Sequence, residues 1–138
     1  MSILDRKFLL DLYVKPPKLS NYNDFISYLK QNSNAILLDA KHLFSHFEGE
    51  GSDREFMGLY EHNSRYIIIQ IYCGTCSGCV NKNNSNESFY NELIDVNISR
   101  AYVTTNLDEA LTYYKQKSIA IQSDTDFYYT EPLFEHIN

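Results

Sequence analysis

The sequence predicts an α+β fold, a small antiparallel sheet with helices packed on one face. Three observations point to it. Helical patterns gather in the first third of the chain, a two-strand hairpin pattern fills the middle, and a further strand runs straight into a well-capped helix. Helices gathered beside an antiparallel hairpin bury their apolar faces against it. At 138 residues, with no internal repeat and no dividing linker, one domain covering 1–138 is expected.

The elements follow in order. Residues 3–13 read as a helix capped by Ser2 and stopped before Pro16-Pro17, although the alternation of Phe8, Leu10, Leu12 and Val14 also fits a strand. Residues 21–31 read as a second helix. Tyr22, Phe25, Ile26 and Leu29 share one of its faces, and Ser20 is the expected cap. A third helix is expected over 39–47, capped by Asp39, with Leu43, Phe44 and Phe47 on one face and the acidic loop 48–53 ending it.

Two strands are expected over 55–61 and 65–73, joined by a tight turn at His62-Asn63-Ser64. In the second, Ile67, Ile69 and Ile71 share one face, and Tyr66, Ile68, Gln70 and Tyr72 the other. Cys73 is in phase with the isoleucines, so its thiol is expected to face the core. Residues 74–88, rich in Gly, Asn and Ser, read as a loop. Phe89, Tyr90, Leu93 and Ile94 point to a short helix, and residues 101–105 to a strand. Asn106-Leu107-Asp108-Glu109 then opens a capped helix carrying a Leu107, Ala110, Leu111 and Tyr114 stripe, with a short strand expected over 118–122.

Composition narrows the function. Hydrophobic residues make up 43% and charged residues 22%, which places the chain among globular proteins. It has 12 Tyr, 8 Phe and no Trp, so a core margin lined by tyrosine is expected. The net charge is −6, with 12 scattered Lys and Arg, which argues against nucleic-acid binding. Asp5 and Asp11 interrupt any signal-peptide apolar region, and the apolar run from Tyr66 to Cys73 is too short to span a membrane. An intracellular protein with no membrane association is expected.

All three cysteines fall in one run, Cys73-Gly74-Thr75-Cys76-Ser77-Gly78-Cys79, as two overlapping C-x-x-C units. Three readings compete. Free cysteine packs as a small hydrophobe, and a Gly-rich corner after a buried strand accepts it. Thiolates at C-x-x-C spacing converge on one ion, so Cys73, Cys76 and Cys79 could give zinc three ligands. The fourth would come from water or from His42, His46, His62 or His136; His42 and His46 are expected on one face of the third helix. The third reading is thiol–disulfide exchange, with Cys73 attacking and Cys76 or Cys79 resolving.

The stretch from Ile67 to Cys76 resembles the thioredoxin active-site segment, where a buried strand enters an aromatic-Cys-Gly-x-Cys turn. It departs from that family after Cys76. No helix pattern follows, and the only downstream proline is Pro132. No nucleophile elbow, phosphate-binding Gly-rich loop or H-E-x-x-H helix occurs, and the acidic loop at 48–55 lacks EF-hand spacing, so a non-enzymatic protein is expected.

A wider resemblance covers about half the chain. Gly58-Leu59-Tyr60-Glu61, the turn, Tyr66-Ile67-Ile68, Tyr72-Cys73-Gly74-Thr75-Cys76-Ser77-Gly78-Cys79 and then Leu107-Asp108-Glu109-Ala110-Leu111 resemble short proteins of phages and large DNA viruses to which no activity is attached. The resemblance implies a virus-encoded accessory protein that binds a protein partner inside the host cell. The alternative is a zinc-binding or thiol–disulfide protein centred on the cysteine run.

Elemental analysis and a thiol count on one chelator-free sample separate the three cysteine readings. Zinc coordination gives about one zinc per chain with protected thiols. Packing alone gives no metal and three free thiols. Redox chemistry gives no metal and one free thiol.

Overall fold

The structure is a computed structural model that describes residues 7–50, 53–73 and 89–117, without the side chains of residues 48–50, 53, 54, 72 and 73. Helix α1 (Lys7–Leu12) takes the helical option of its ambiguous pattern, because Leu9 and Leu12, one turn apart, are then buried together. The chain leaves α1 extended. Tyr13 bridges Leu37, the Val14 amide donates to Ile36 O at 3.0 Å, and the Leu38 amide donates to Leu12 O at 2.7 Å.

Helix α2 (Tyr22–Gln31) buries Phe25, Ile26 and Leu29, the face its spacing predicts. Its cap is Asn21 rather than Ser20. Asn21 has the extended backbone a cap requires, and its Oδ1 accepts from the Asp24 amide at 2.9 Å. After α2, a short 3₁₀ turn (Ser33–Ala35) leads to Asp39.

The expected third helix over 39–47 does not form. Asp39 has φ 58°, a left-handed conformation that does not open a helix. Residues from Lys41 build strand β1 (Lys41–Glu50) instead, so most of the expected acidic loop is strand. The misleading pattern has a local cause. His42 pairs with Tyr60 and Phe44 with Leu59, which leaves Leu43 as an extra residue in a bulge. The bulge turns Leu43 and Phe44 toward the same apolar cluster, so adjacent apolar residues mimic a helical face.

Strand β1 pairs with β2 (Asp53–His62), which pairs with β3 (Arg65–Cys73), which pairs with β4 (Tyr102–Thr104), all antiparallel in the order β1-β2-β3-β4. Asn63 (φ 48°) and Ser64 (φ 64°) form the β2–β3 turn, and two positive φ values match the right-handed strand twist. Helix α3 (Phe89–Ser99) precedes β4, and α4 (Leu107–Lys117) follows it. Helix α4 is capped as expected: Asn106 Oδ1 accepts from the Glu109 amide at 2.9 Å. The loop expected at 74–88 and the strand expected at 118–122 lie outside the described residues.

The α+β class and the antiparallel sheet are as the sequence predicts. Helices α1, α2 and α3 cover one sheet face, where Leu9, Phe25, Leu29, Ile94 and Ile98 meet Phe56, Tyr60, Ile67, Ile69 and Ile71. Helix α4 lies on the other face, where Ala110 and Tyr114 meet Leu43, Met57, Leu59 and Ile68. The helical layer is therefore two-sided, because β3 alternates Ile67, Ile69 and Ile71 with the equally apolar Ile68. Tyrosine also goes deeper than a core margin: Tyr60 and Tyr114 are fully buried. Among the described residues no helix is long and apolar enough to cross a membrane.

Gly58 makes room for Tyr60. A Cβ at Gly58 would lie 2.7 Å from Tyr60 Oη and 2.8 Å from Cε1. Tyr60 cannot simply swing aside, because its hydroxyl donates to Ser33 O at 2.5 Å and its ring is fully buried. Gly58→Ala is expected to destabilise the protein by about 1–3 kcal/mol, the usual range for overpacking. Urea unfolding checks this as a lower midpoint at unchanged slope.

Candidate functional site

Among the described residues Glu55 is the one buried charged side chain, at 2% exposed. It sits on β2 facing α4, on the same strand face as Met57 and Leu59. His46 of β1 reaches it diagonally across the hairpin, since His46 is opposite Met57 and Glu48 is opposite Glu55. His46 Nε2 lies 3.1 Å from Glu55 Oε1, with His46 itself 13% exposed. From β3, Gln70 Nε2 donates to Glu55 Oε2 at 3.2 Å and to Lys117 O at 3.0 Å. Lys117 ends α4, so Gln70 supplies a donor to one of the terminal carbonyls a helix leaves unpaired.

Tyr114 completes the network from α4. Its hydroxyl donates to Met57 O at 2.9 Å and lies 2.8 Å from His46 Nδ1. A hydroxyl has one proton to give. With that proton on the Met57 carbonyl, the Tyr114 oxygen is left as an acceptor toward His46 Nδ1. Phe44 packs edge-on against the Tyr114 ring, with centroids 5.8 Å apart. Burial pushes the Tyr114 hydroxyl well above the ordinary tyrosine range, and the nearby Glu55 adds to it.

The constellation looks like an acid–base relay, but its geometry is that of a clasp. Glu55 and Tyr114 are buried, and the polar atoms are directed at one another and at backbone carbonyls. It joins β1, β2, β3 and α4, and so fixes the helix on the sheet. Sequence reasoning misses this site, because Glu55 and Tyr114 are 59 positions apart along the chain and meet only through the sheet. The available signal is Glu55 and Gln70, polar residues on strand faces otherwise lined by Met57, Leu59 and Ile68.

The residues singled out from sequence are dispersed. Cys73 is the last residue of β3, opposite Arg54, and its side chain lies outside the described residues, as do Cys76 and Cys79. His42 and His46 do not share a helix face. They are on a strand, and the bulge at Leu43 sends them to opposite sheet faces. His42 Nε2 meets Ser45 Oγ at 2.9 Å and its ring packs on Tyr60, while His46 belongs to the clasp. His62 Nδ1 donates to Asp39 O at 3.1 Å and its ring stacks on Phe8. His136 lies outside the described residues. Among those residues no three side chains of His, Cys, Asp or Glu gather as a metal site.

The surface offers two further features. Strand β1 is a ten-residue sheet edge. Tyr102 and Tyr113 stack at 3.9 Å beside α4, and a hydrogen bond to Glu109 raises the Tyr102 hydroxyl to about 12. Comparison with protein-family models, with curated proteins and with solved structures finds no match.

The tyrosines set a pH dependence. Burial raises the hydroxyls of Tyr60 and Tyr114, and burial together with the Asp95 bond raises that of Tyr13. The unfolded chain releases these protons near pH 10 while the folded chain holds them, so stability is complete below pH 10 and falls above it. Each tyrosine contributes a slope of up to about 1.4 kcal/mol per pH unit. Tyr114→Phe is expected to cost about 1–3 kcal/mol at pH 7 and to fall less steeply than wild type above pH 10. Urea unfolding at pH 7, 10 and 11 measures both effects.

Proposed function

We propose that the protein acts by binding a protein partner, which adds an extended segment to the outer edge of β1. The observation that carries this reading is the length of that edge. β1 runs for ten residues, pairs with β2 on one side, and has no strand on its other side among the described residues. An unpaired strand edge presents a row of backbone donors and acceptors, and an extended chain is the shape that matches them.

The bulge at Leu43 twists one end of the strand, which restricts flat pairing there and leaves the stretch from Phe44 onward as the regular ladder. The opposite edge, β4, has only three residues and offers far less backbone.

The setting inside a host cell and the virus-encoded origin rest on the resemblance carried by the cysteine run. The alternative, a zinc-binding or thiol–disulfide centre on Cys73, Cys76 and Cys79, rests on their spacing. The run starts at Cys73, the last residue of β3.

Affinity capture followed by hydrogen exchange on the recovered complex tests the reading. Amides of residues 44–50 are expected to exchange at least tenfold more slowly in the complex. Protection confined to other elements would remove the β1 edge from the proposal, and recovery of no specific partner would remove protein binding itself.

A further inference from the structure

Residues 14–19 cross the surface between α1 and α2 as Val14-Lys15-Pro16-Pro17-Lys18-Leu19, with no helix or strand of their own. The backbone there has little freedom. Each proline fixes its own φ, and a residue before proline is pushed out of the helical region. Lys15 precedes Pro16, and Pro16 precedes Pro17, so both are held extended or in the polyproline conformation.

The fold secures the stretch at both ends. Upstream, the Val14 amide donates to Ile36 O at 3.0 Å. Downstream, Leu19 is buried at 3% exposed, and its amide donates to Asn91 Oδ1 at 2.9 Å. Asn91 Nδ2 in turn donates to Pro17 O at 3.0 Å. One side chain of α3 thus grips the chain on either side of Lys18. Between these anchors Lys15, Pro17 and Lys18 are exposed and Pro16 is half-exposed.

We propose that Lys15-Pro16-Pro17-Lys18 is a displayed ligand for a proline-binding domain of a partner, one with an aromatic groove and an acidic rim. A proline-rich chain enters such a groove with little ordering cost, because its conformation is set in advance. Here the fold sets it further, through Asn91 and Leu19. Lys15, exposed beside the prolines, offers a positive charge that an acidic rim would match. The proposal rests on the protein-binding reading but not on β1, and it places a second contact on a separate surface.

The test uses the full chain, fluorescently labelled and applied to an array of purified WW domains and other aromatic-grooved proline-binding domains. Titration of the best binder follows, with wild type, P16A/P17A, K15E and N91A. At least one domain is expected to bind. P16A/P17A should weaken that binding tenfold or more. K15E should weaken it several-fold, with the difference shrinking in high salt. N91A should weaken it by less than P16A/P17A, since it removes only the grip. Thermal unfolding of each variant reports whether it is folded, and a synthetic peptide of residues 12–20 should compete with the full chain.

Binding by no domain overturns the proposal. So does binding that a folded P16A/P17A keeps, or, where that variant does not fold, binding the peptide fails to displace. An empty array together with a partner that protects β1 would end this proposal and leave the protein-binding reading intact.

Discussion

Strands β2 and β3 are apolar on both faces, and a sheet in that condition has to be covered twice. Phe56, Tyr60, Ile67, Ile69 and Ile71 face α1, α2 and α3, while Met57, Leu59 and Ile68 face α4. Each large apolar side chain taken fully out of water contributes about 1.5–3 kcal/mol, so neither face can be left open cheaply. Helix α4 is a poor cover by composition, since its sequence LDEALTYYKQK has few aliphatic residues. It covers its face with Ala110 and above all with Tyr114, and a buried tyrosine brings a hydroxyl that must be satisfied. The Met57 carbonyl, His46, Glu55 and Gln70 follow from that requirement. The polar clasp is thus a consequence of covering a second apolar face with a polar helix.

What was legible in the sequence was what a short window contains. The period-two isoleucines of β3, the Asn63-Ser64 turn, the helical stripe of α2 and the Asn106 cap each depend on neighbours within about one or two turns of chain. β1 failed for a physical reason. A bulge breaks period two at Leu43, and the resulting Leu43, Phe44 and Phe47 spacing coincides with a helical face. The same bulge decides where the histidines go, since His42 and His46 would share a sheet face without it. Ser20 and Asn21 are both good caps by type, and it is Asn21 whose side chain accepts from the Asp24 amide just before the first helical residue. The clasp was illegible because its register depends on the unrecognised β1–β2 hairpin. The cysteine run was easy to see, yet its chemistry depends on atoms that lie beyond the end of β3.

The placement of polar groups bears on how the protein can act. His46, Glu55 and Tyr114 are engaged with one another at the α4 interface, where Glu55 and Tyr114 are buried. Tyr13 is likewise engaged with Asp95 on α3 at 2.6 Å, and Tyr60 with Ser33 O. The two surfaces proposed for a partner, the rim of β1 and the clamped prolines before Lys18, are both features of main-chain conformation. A preset backbone loses little entropy when a partner meets it, and the hydrogen bonds of Asn91 to the chain on either side of Lys18 are contacts of that presetting kind.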